Sequence, residues 1–268
     1  MNQAFLPVSS GYALKDYIGG GHSGRVLRAE APGGIQVAAK IIQGANAQEI
    51  RGLELTKRLR HPFLLQTHAY WSLDDGALII IMELADGSMS GRLKECREAD
   101  LPGIPVGELL RYMREAAEAL DYLHSQHLQH RDIKPDNILR LQGHAKVADF
   151  GLARLHEGIR LLQATVCGTP AYMAPEIWMG KISRNSDQYS LAMTYIELRL
   201  GRCPFQAADL MQMWQRHVEE LPDIAGLGPA EQQVILKAVS KDADQRYGSC
   251  REFAEKLANA AEGTTIAF

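Results

Sequence analysis

The spacing of apolar and polar positions changes along the chain and predicts different elements in different parts. Residues 26–30 and 35–42 are two apolar-rich runs joined by an Ala-Pro-Gly-Gly turn, which predicts strand, turn and strand. Residues 77–82 form a continuous apolar run, as is typical of a buried strand. Between residues 107 and 127, apolar side chains recur at helical spacing and predict a long helix. These side chains are Leu110, Met113, Ala117, Leu120 and Leu123.

Four polar residues after the predicted helix carry the clearest chemistry. Asp132 is placed to accept the proton of an attacking hydroxyl, and Lys134 to hold a transferred phosphate. Asn137 offers an amide oxygen and Asp149 a carboxylate, and both suit Mg²⁺ as metal ligands. Phosphoryl transfer needs positioning and charge neutralisation more than covalent chemistry, so this set of side chains suits that reaction.

These four residues belong to the octapeptide His130–Asn137 and the tripeptide Asp149–Gly151, with strand-like apolar residues at 138–141 and 145–148. Taken singly, each peptide could be an ordinary buried ion pair or an ordinary turn. In this order and setting they resemble the H-R-D-x-x-x-x-N catalytic loop and the D-F-G metal loop of the eukaryotic-type (Hanks-type) protein kinase family. A lysine two positions after the aspartate is the form associated with its serine/threonine kinases.

The resemblance implies an α+β fold with two lobes: a small antiparallel β-sheet lobe with one key helix, and a larger, mainly helical lobe. It implies a kinase domain over residues 1–262 and a tail at 263–268. Within the domain it implies an N-lobe at 12–83, a hinge at 84–87 and a C-lobe at 88–262. The implied ligands are ATP, Mg²⁺ and protein substrates that are phosphorylated on Ser or Thr.

A glycine-rich segment near the start fits the pattern G-x-G-x-x-G-x-V, which dinucleotide-binding folds share with kinases. Strands flank the glycines here, whereas a helix follows them in a dinucleotide fold, so the flanks favour the kinase hairpin. The resemblance implies that this loop covers the nucleotide through Ile18, Gly19, Gly21, Gly24 and Val26. It also implies that Lys40, in the V-A-x-K pattern, holds the α- and β-phosphates.

Lys40 requires an acidic partner from a helix predicted over residues 47–59, and here the sequence departs from the family pattern. The position at which many members carry the glutamate is Gly52, which has no carboxylate. Glu49 lies about one turn earlier on the same face of the helix and is the preferred partner. Glu54, two positions after the glycine, is the alternative.

The end of the predicted buried strand is expected to meet adenine. The resemblance makes Met82 the gatekeeper and assigns backbone groups of Glu83 to Ala85 to the base. Three apolar residues are expected to sandwich the ring, and simple core packing is equally compatible with them. They are Val26, Ala38 and Leu139.

The segment from 149 to 176 resembles an activation loop. Thr165 is the one hydroxyl residue between positions 152 and 168. A phosphate on Thr165 would add roughly two negative charges within reach of Arg131 and could order the loop. We expect this phosphate to come from a second copy of the chain, which implies self-association.

Further positions follow the family pattern. Thr169 is expected to contact the catalytic-loop acid and lysine and to help define the acceptor site. Asp187 is expected to begin a long buried helix and to pin the catalytic-loop backbone, and Arg246 to pair with Glu176. Residues 101–105 are rich in Pro and Gly, which predicts an exposed loop before the long helix.

Composition narrows the functional classes. The 268 residues carry 29 basic and 32 acidic side chains and a formal net charge of -3, which argues against a nucleic-acid partner. No apolar stretch is long enough for a membrane segment. The four cysteines form no C-x-x-C pair, which predicts a reducing compartment. We therefore expect a cytoplasmic protein, or the cytosolic kinase domain of a longer one.

Two other functional classes stay open. One is a pseudokinase, a scaffold or partner-binding module that uses the kinase fold without efficient catalysis. Such proteins commonly lose one of Lys40, Asp132 or Asp149, and this chain has all three. The other is a small-molecule phosphotransferase, against which the peptide-receiving segment at 168–176 argues.

Overall fold

The computed structural model describes residues 11–21, 24–45, 47–149, 169–181 and 183–262. The strands are β1 (Ala13–Gly21), β2 (Gly24–Glu30), β3 (Gln36–Ile42), β4 (Thr67–Ser72), β5 (Leu78–Glu83), β6 (Gly87–Ser88), β7 (Ile138–Leu141) and β8 (His144–Val147). The α-helices are α1 (Ala47–Thr56), α2 (Met89–Glu98), α3 (Val106–Ser125), α4 (Pro175–Trp178), α5 (Ser186–Leu200), α6 (Leu210–Glu219), α7 (Pro229–Ala238) and α8 (Cys250–Glu262).

The first five strands form one antiparallel sheet in the order β1-β2-β3-β5-β4. Because side chains alternate along a strand, each face of the sheet has its own apolar cluster. The cluster on one face contains Ala29, Val37, Ala39, Ile41, Ile79 and Ile81. On the other face, Leu53 of α1 packs on Ile42, Leu78 and Ile80. The single helix of this lobe is thus fixed to the face that also carries Lys40.

The rest of the described chain is mainly helical. Helix α5 is buried along most of its length, and its Tyr189 and Tyr195 are among the largest fully buried side chains, together with Phe253 of α8. A second, three-stranded sheet in the order β6-β7-β8 lies beside these helices and carries the loops of the site. Among the described residues, no helix combines the length and the apolar character needed to cross a bilayer. This architecture confirms the predicted α+β kinase fold.

Helix α1 is shorter than predicted. It ends at Thr56, three residues before the predicted end. The hydroxyl of Thr56 donates to the carbonyl of Gly52 at 3.0 Å, a bond to the preceding turn that threonine commonly makes within helices.

The loop at residues 101–105 was predicted to be exposed, and this prediction is wrong for its middle. Ile104 is 1% exposed, and its N–H donates to the carbonyl of Leu198 at 2.8 Å. A Cβ on Gly103 would lie 2.2 Å from the carbonyl oxygen of Arg199. The glycine therefore permits a backbone contact with α5 that a count of loop-forming residues does not reveal.

Candidate active site

The backbone of the loop at residues 130–137 is bound by one buried carboxylate. Asp187, near the start of α5, accepts the N–H of His130 at 2.9 Å and the N–H of Arg131 at 2.8 Å. It also bonds His124 Nε2 at 2.8 Å. Burial alone would raise the pKa of Asp187, but the hydrogen bond from His124, together with the backbone donors, holds it below its usual value. The predicted role of Asp187 as the pin of this loop is confirmed.

His130 ties the same loop to the end of β8. Its side chain is fully buried, and Nε2 lies 2.7 Å from the carbonyl oxygen of Ala148. The N–H of Asp132 donates to His130 Nδ1 at 3.2 Å, so Nε2 is the nitrogen that carries the proton and donates. Arg131 and Asp149 both have a φ of 63°, a left-handed conformation that these surroundings must enforce.

Asp132, Lys134 and Asn137 form one cluster. The ammonium of Lys134 lies 3.0 Å from Asp132 Oδ2. The amide nitrogen of Asn137 donates to the same oxygen at 2.9 Å and to the Asp132 carbonyl at 2.7 Å. Asp132 Oδ1 is buried and has no hydrogen-bond partner in the described part of the chain. One carboxylate oxygen is thus fixed by its neighbours, and the other remains available to a donor from outside.

Lys40 on β3 meets Asp149 at the start of the next loop. Their side chains form an ion pair, with 2.7 Å between Nζ and Oδ2, and that of Lys40 is 3% exposed. Burial would raise the pKa of Asp149, but the charge and hydrogen bond of Lys40, with His130 and Lys134 nearby, hold it below the ordinary value. The site therefore places an anionic carboxylate beside a buried cation.

Of the two acids of α1 considered as partners of Lys40, the structure describes the side chain of Glu54. Glu54 accepts the hydroxyl of Tyr70 at 2.8 Å and lies 3.8 Å from Lys57 Nζ, so it is turned away from Lys40. The side chain of Glu49 lies outside the described residues, and its pairing with Lys40 stays a prediction. Gly52 is buried, which fits its position on the inward face of α1.

The register of the sheet places the residues expected to contact nucleotide on one face. Val26 lies opposite Lys40, and Ala38 lies opposite Met82. Since Ala38 and Lys40 are two positions apart on β3, all four share a face. At the start of β2, Gly24 has a φ of 121°, and a Cβ on it would lie 2.4 Å from the Ile41 carbonyl oxygen.

The side chain of Glu83 has a structural role that the sequence did not reveal. It accepts the N–H of Gln66 at 3.0 Å and lies 3.2 Å from Lys146 Nζ. The N–H of Glu83 also donates to the carbonyl of Gln66 at 3.0 Å. Its side chain and its N–H are thus both bound within the protein, and the adenine role that the resemblance implied would fall to its carbonyl.

Two further residues expected to contact the nucleotide differ in their surroundings. Leu139 on β7 is partly buried and lies opposite Lys146 in the register, whereas Ile18 is 40% exposed.

The segment at 169–176 is anchored by a buried ion pair that was predicted. Arg246 makes two parallel bonds to Glu176, 2.7 Å from Nη1 to Oε1 and 2.8 Å from Nη2 to Oε2. Ser186 also donates to Glu176, at 2.7 Å. The expectations for Thr165 and for the side chain of Thr169 lie outside the described residues.

Comparison with known proteins identifies the family. A family model described as "Protein kinase domain" matches residues 12–262. The chain belongs to the protein kinase family. Serine/threonine-protein kinase PknF of Mycobacterium tuberculosis is 32% identical to this kinase domain over 278 residues, 95% of this chain and 57% of that protein. Serine/threonine-protein kinase pkn3 of Myxococcus xanthus is 29% identical over 272 residues, 92% of this chain and 49% of that protein.

A solved structure agrees with this assignment. The crystal structure of the Mycobacterium tuberculosis PknI kinase domain matches this kinase domain with a TM-score of 0.74 and 29% sequence identity, over 94% of this chain and 97% of that one. The chain spans about half the length of the curated relatives it matches.

Proposed function

We propose that this chain is a protein serine/threonine kinase, which transfers the γ-phosphate of ATP to serine and threonine hydroxyls of protein substrates. The observation that carries the proposal is the Asp132 carboxylate. Its Oδ2 is bound by Lys134 and Asn137, whereas Oδ1 is buried and unpartnered within the described residues. A buried carboxylate oxygen without a donor suits the proton of an incoming hydroxyl. The two relatives named above are both serine/threonine-protein kinases, which supports the same activity.

In this proposal the acceptor hydroxyl donates to Asp132 Oδ1, and Asp132 orients it. Asp132 takes its proton as the bond from the hydroxyl oxygen to the γ-phosphorus forms, while the bond from that phosphorus to the bridging oxygen breaks and ADP leaves with the electron pair. Lys134, which is 3.0 Å from the other carboxylate oxygen, is close enough to stabilise the phosphoryl group in transit. Lys40 binds the α- and β-phosphates of the nucleotide. Thr169 helps to define the acceptor site beside these groups.

The nucleotide is proposed to lie against the sheet face that carries Lys40. There Met82 limits the depth of the pocket, and the backbone of Glu83 to Ala85 meets adenine. Glu49 is proposed to orient the lysine. The other assigned nucleotide contacts are Ile18, Gly19, Gly21, Gly24, Val26, Ala38 and Leu139.

Asn137 and Asp149 are the proposed Mg²⁺ ligands, and their chemistry fits that ion. Mg²⁺ prefers oxygen donors, and the pair offers one neutral amide oxygen and one carboxylate. Both hydrogen bonds of Asn137 to Asp132 use the amide nitrogen, which leaves the amide oxygen for a ligand. When bound there, Mg²⁺ would neutralise the negative charge that develops on the phosphate oxygens during transfer.

We also propose the boundaries of the two lobes and the way in which the kinase is regulated. We place the N-lobe at 12–83, the hinge at 84–87 and the C-lobe at 88–262. Phosphorylation of Thr165 by a second copy of the chain would order the activation segment through Arg131. A cytoplasmic location agrees with the free thiols of the described cysteines, Cys96, Cys203 and Cys250.

A phosphotransfer assay tests the proposal. The purified chain is incubated with γ-³²P-labelled ATP, Mg²⁺ and a generic protein acceptor, and the labelled protein is hydrolysed to its amino acids. We expect label in phosphoserine or phosphothreonine, lost when a chelator removes Mg²⁺. Absence of label from phosphoserine and phosphothreonine would overturn the kinase proposal and leave the scaffold and the small-molecule phosphotransferase as the remaining classes.

A further inference from the structure

A cluster of three potential metal ligands lies where α3 ends against the start of α8. Asp121 and His124 project from the last turns of α3, and Cys250 is the first residue of α8. One ligand atom of each residue can be chosen so that all three lie within 4.8 Å of one another. His124 Nδ1 is 3.8 Å from Asp121 Oδ1, and Cys250 is 1% exposed. None of the three side chains is assigned to the phosphotransfer site.

The surrounding bonds fix the orientation of two of these ligands. Asp121 accepts the N–H of Cys250 at 2.9 Å and that of Arg251 at 3.0 Å, so its carboxylate lies across the start of α8. His124 Nε2 is held by Asp187 at 2.8 Å. A neutral imidazole that donates from Nε2 has its lone pair on Nδ1, and that lone pair faces the Asp121 carboxylate.

The cluster thus brings three potential metal-donor atoms together: an imidazole nitrogen, a carboxylate oxygen and a sulfur. A carboxylate that binds the far nitrogen of a histidine is the usual second partner of a metal-bound imidazole. We propose that Asp121, His124 and Cys250 bind one Zn²⁺ ion, with water as the fourth ligand. Nitrogen, oxygen and sulfur donors in a four-coordinate site are the set that zinc prefers.

The distance between His124 and Asp121 needs little adjustment for such a site. Zinc bonds of about 2.1 Å to nitrogen and oxygen place two tetrahedral ligands roughly 3.4 Å apart, and the His124 to Asp121 distance is 3.8 Å. The side chains of His124 and Asp121 are 13% and 20% exposed, so solvent reaches the cluster and can supply the water ligand. Binding would join the end of α3 to the start of α8.

Cys250 must lose its proton when zinc binds. Burial, together with the charges of Asp121 and Asp187, raises the pKa of the Cys250 thiol well above its ordinary value. The sulfur is therefore a neutral thiol without the cation. As the sulfur–zinc bond forms, the sulfur–hydrogen bond breaks and the proton passes to solvent, with no change of oxidation state.

Zinc binding would also affect the proposed catalytic loop, through His124. His124 lies between the cluster and Asp187, and Asp187 holds the backbone of His130 and Arg131. A cation on Nδ1 would keep the proton of His124 on Nε2, where it serves Asp187. The zinc proposal does not rest on kinase activity, because the three ligands are independent of the phosphotransfer residues.

Metal binding can be measured without an activity assay. The intact chain, freed of metal with a chelator, is titrated with Zn²⁺ in excess Mg²⁺, which occupies sites made of oxygen alone. A parallel titration with Co²⁺ reports sulfur ligation by a charge-transfer band in the near ultraviolet. We expect one Zn²⁺ per chain and a thiolate-to-Co²⁺ band.

The variants Cys250→Ser and Asp121→Asn assign the site, and Cys203→Ser is the matched control. Cys250→Ser should abolish the Co²⁺ band and weaken Zn²⁺ binding by about 100-fold or more, while Cys203→Ser changes neither. Asp121→Asn retains an oxygen to cap α8 and should weaken Zn²⁺ binding by at least about tenfold, which keeps the test decisive if Cys250→Ser is misfolded. Absence of the band in the natural chain, or Zn²⁺ affinity that folded variants leave unchanged, would overturn the proposal.

Discussion

The two sides of the candidate active site are built in different ways. On the acceptor side, the loop that carries Asp132 is fixed by Asp187 and His130 through buried hydrogen bonds within the helical lobe. On the nucleotide side, Lys40 has a bond to Asp149, which belongs to a loop 109 positions away. The acceptor side is therefore held by a network, whereas on the nucleotide side the described residues show the ion pair of Lys40 with Asp149 between the sheet and the loop.

This difference indicates how the two sides should respond to substitution. A network of buried bonds fixes the acceptor side before any ligand binds, so loss of a member should affect stability as well as activity. The ion pair of Lys40 uses the same carboxylate that is proposed to bind Mg²⁺, so its geometry must adjust when nucleotide enters. Activity should then be sensitive to Lys40 and stability much less so.

The largest expected effect is that of Asp132→Asn. Removing the acid should lower the single-turnover rate of phosphate transfer by about 10³-fold, because the acceptor hydroxyl loses its proton acceptor. Asp136→Asn is the matched control, since Asp136 lies in the same loop and is exposed. Equal rates for the Asp132 and Asp136 variants would exclude the assigned role.

Lys40→Met should lower the transfer rate by roughly 10²- to 10³-fold, because a fixed positive charge against the phosphates is lost. Lys15→Met, on the exposed β1 strand, serves as the control for loss of one lysine charge. Retention of more than a tenth of the rate by the Lys40 variant would contradict the assignment of Lys40.

Asp187→Asn should destabilise the fold by about 3 kcal/mol, because it removes a buried charge that satisfies three donors. The folded pKa of Asp187 is lowered, so its contribution is complete above the unfolded value of 3.8 and is lost as the pH falls below that value. Denaturant unfolding of both proteins should therefore give a difference that shrinks in acid. A difference that grows in acid would have the wrong sign.

Glu49→Gln should reduce transfer by roughly tenfold, the equivalent of 1.4 kcal/mol, if Glu49 orients Lys40 during turnover. Glu54→Gln is the control, since Glu54 bonds Tyr70. A larger loss in the Glu54 variant would reverse the assignment.

The smallest expected effect is that of Thr165→Ala, a loss of several-fold in the rate of chain purified from its native host, since an ordering phosphate on the activation segment would be missing. Thr165→Ser, which retains a phosphate acceptor, should keep the natural rate. Full activity of the alanine variant would reject the regulatory proposal.

Parts of the site formed by residues close in sequence could be predicted, whereas parts formed by residues distant in sequence could not. The motif from His130 to Asn137 is contiguous, so its cluster was predictable from residue types and spacing. The pairing of Lys40 with Asp149 was not, because the two residues lie 109 positions apart and the partner expected for Lys40 was an acid from α1. The buried position of Ile104 was also missed, since it depends on a backbone contact with α5 that no local pattern encodes.

The most direct test of the two-sided account is the affinity of the chain for ATP in the presence of Mg²⁺, measured on Asp132→Asn and Lys40→Met beside the natural protein. We predict that the affinity of Asp132→Asn for ATP is within about threefold of that of the natural chain, although its transfer rate is much lower. The affinity of Lys40→Met for ATP should be at least about tenfold weaker. Weak ATP binding by Asp132→Asn together with unaltered binding by Lys40→Met would contradict the account.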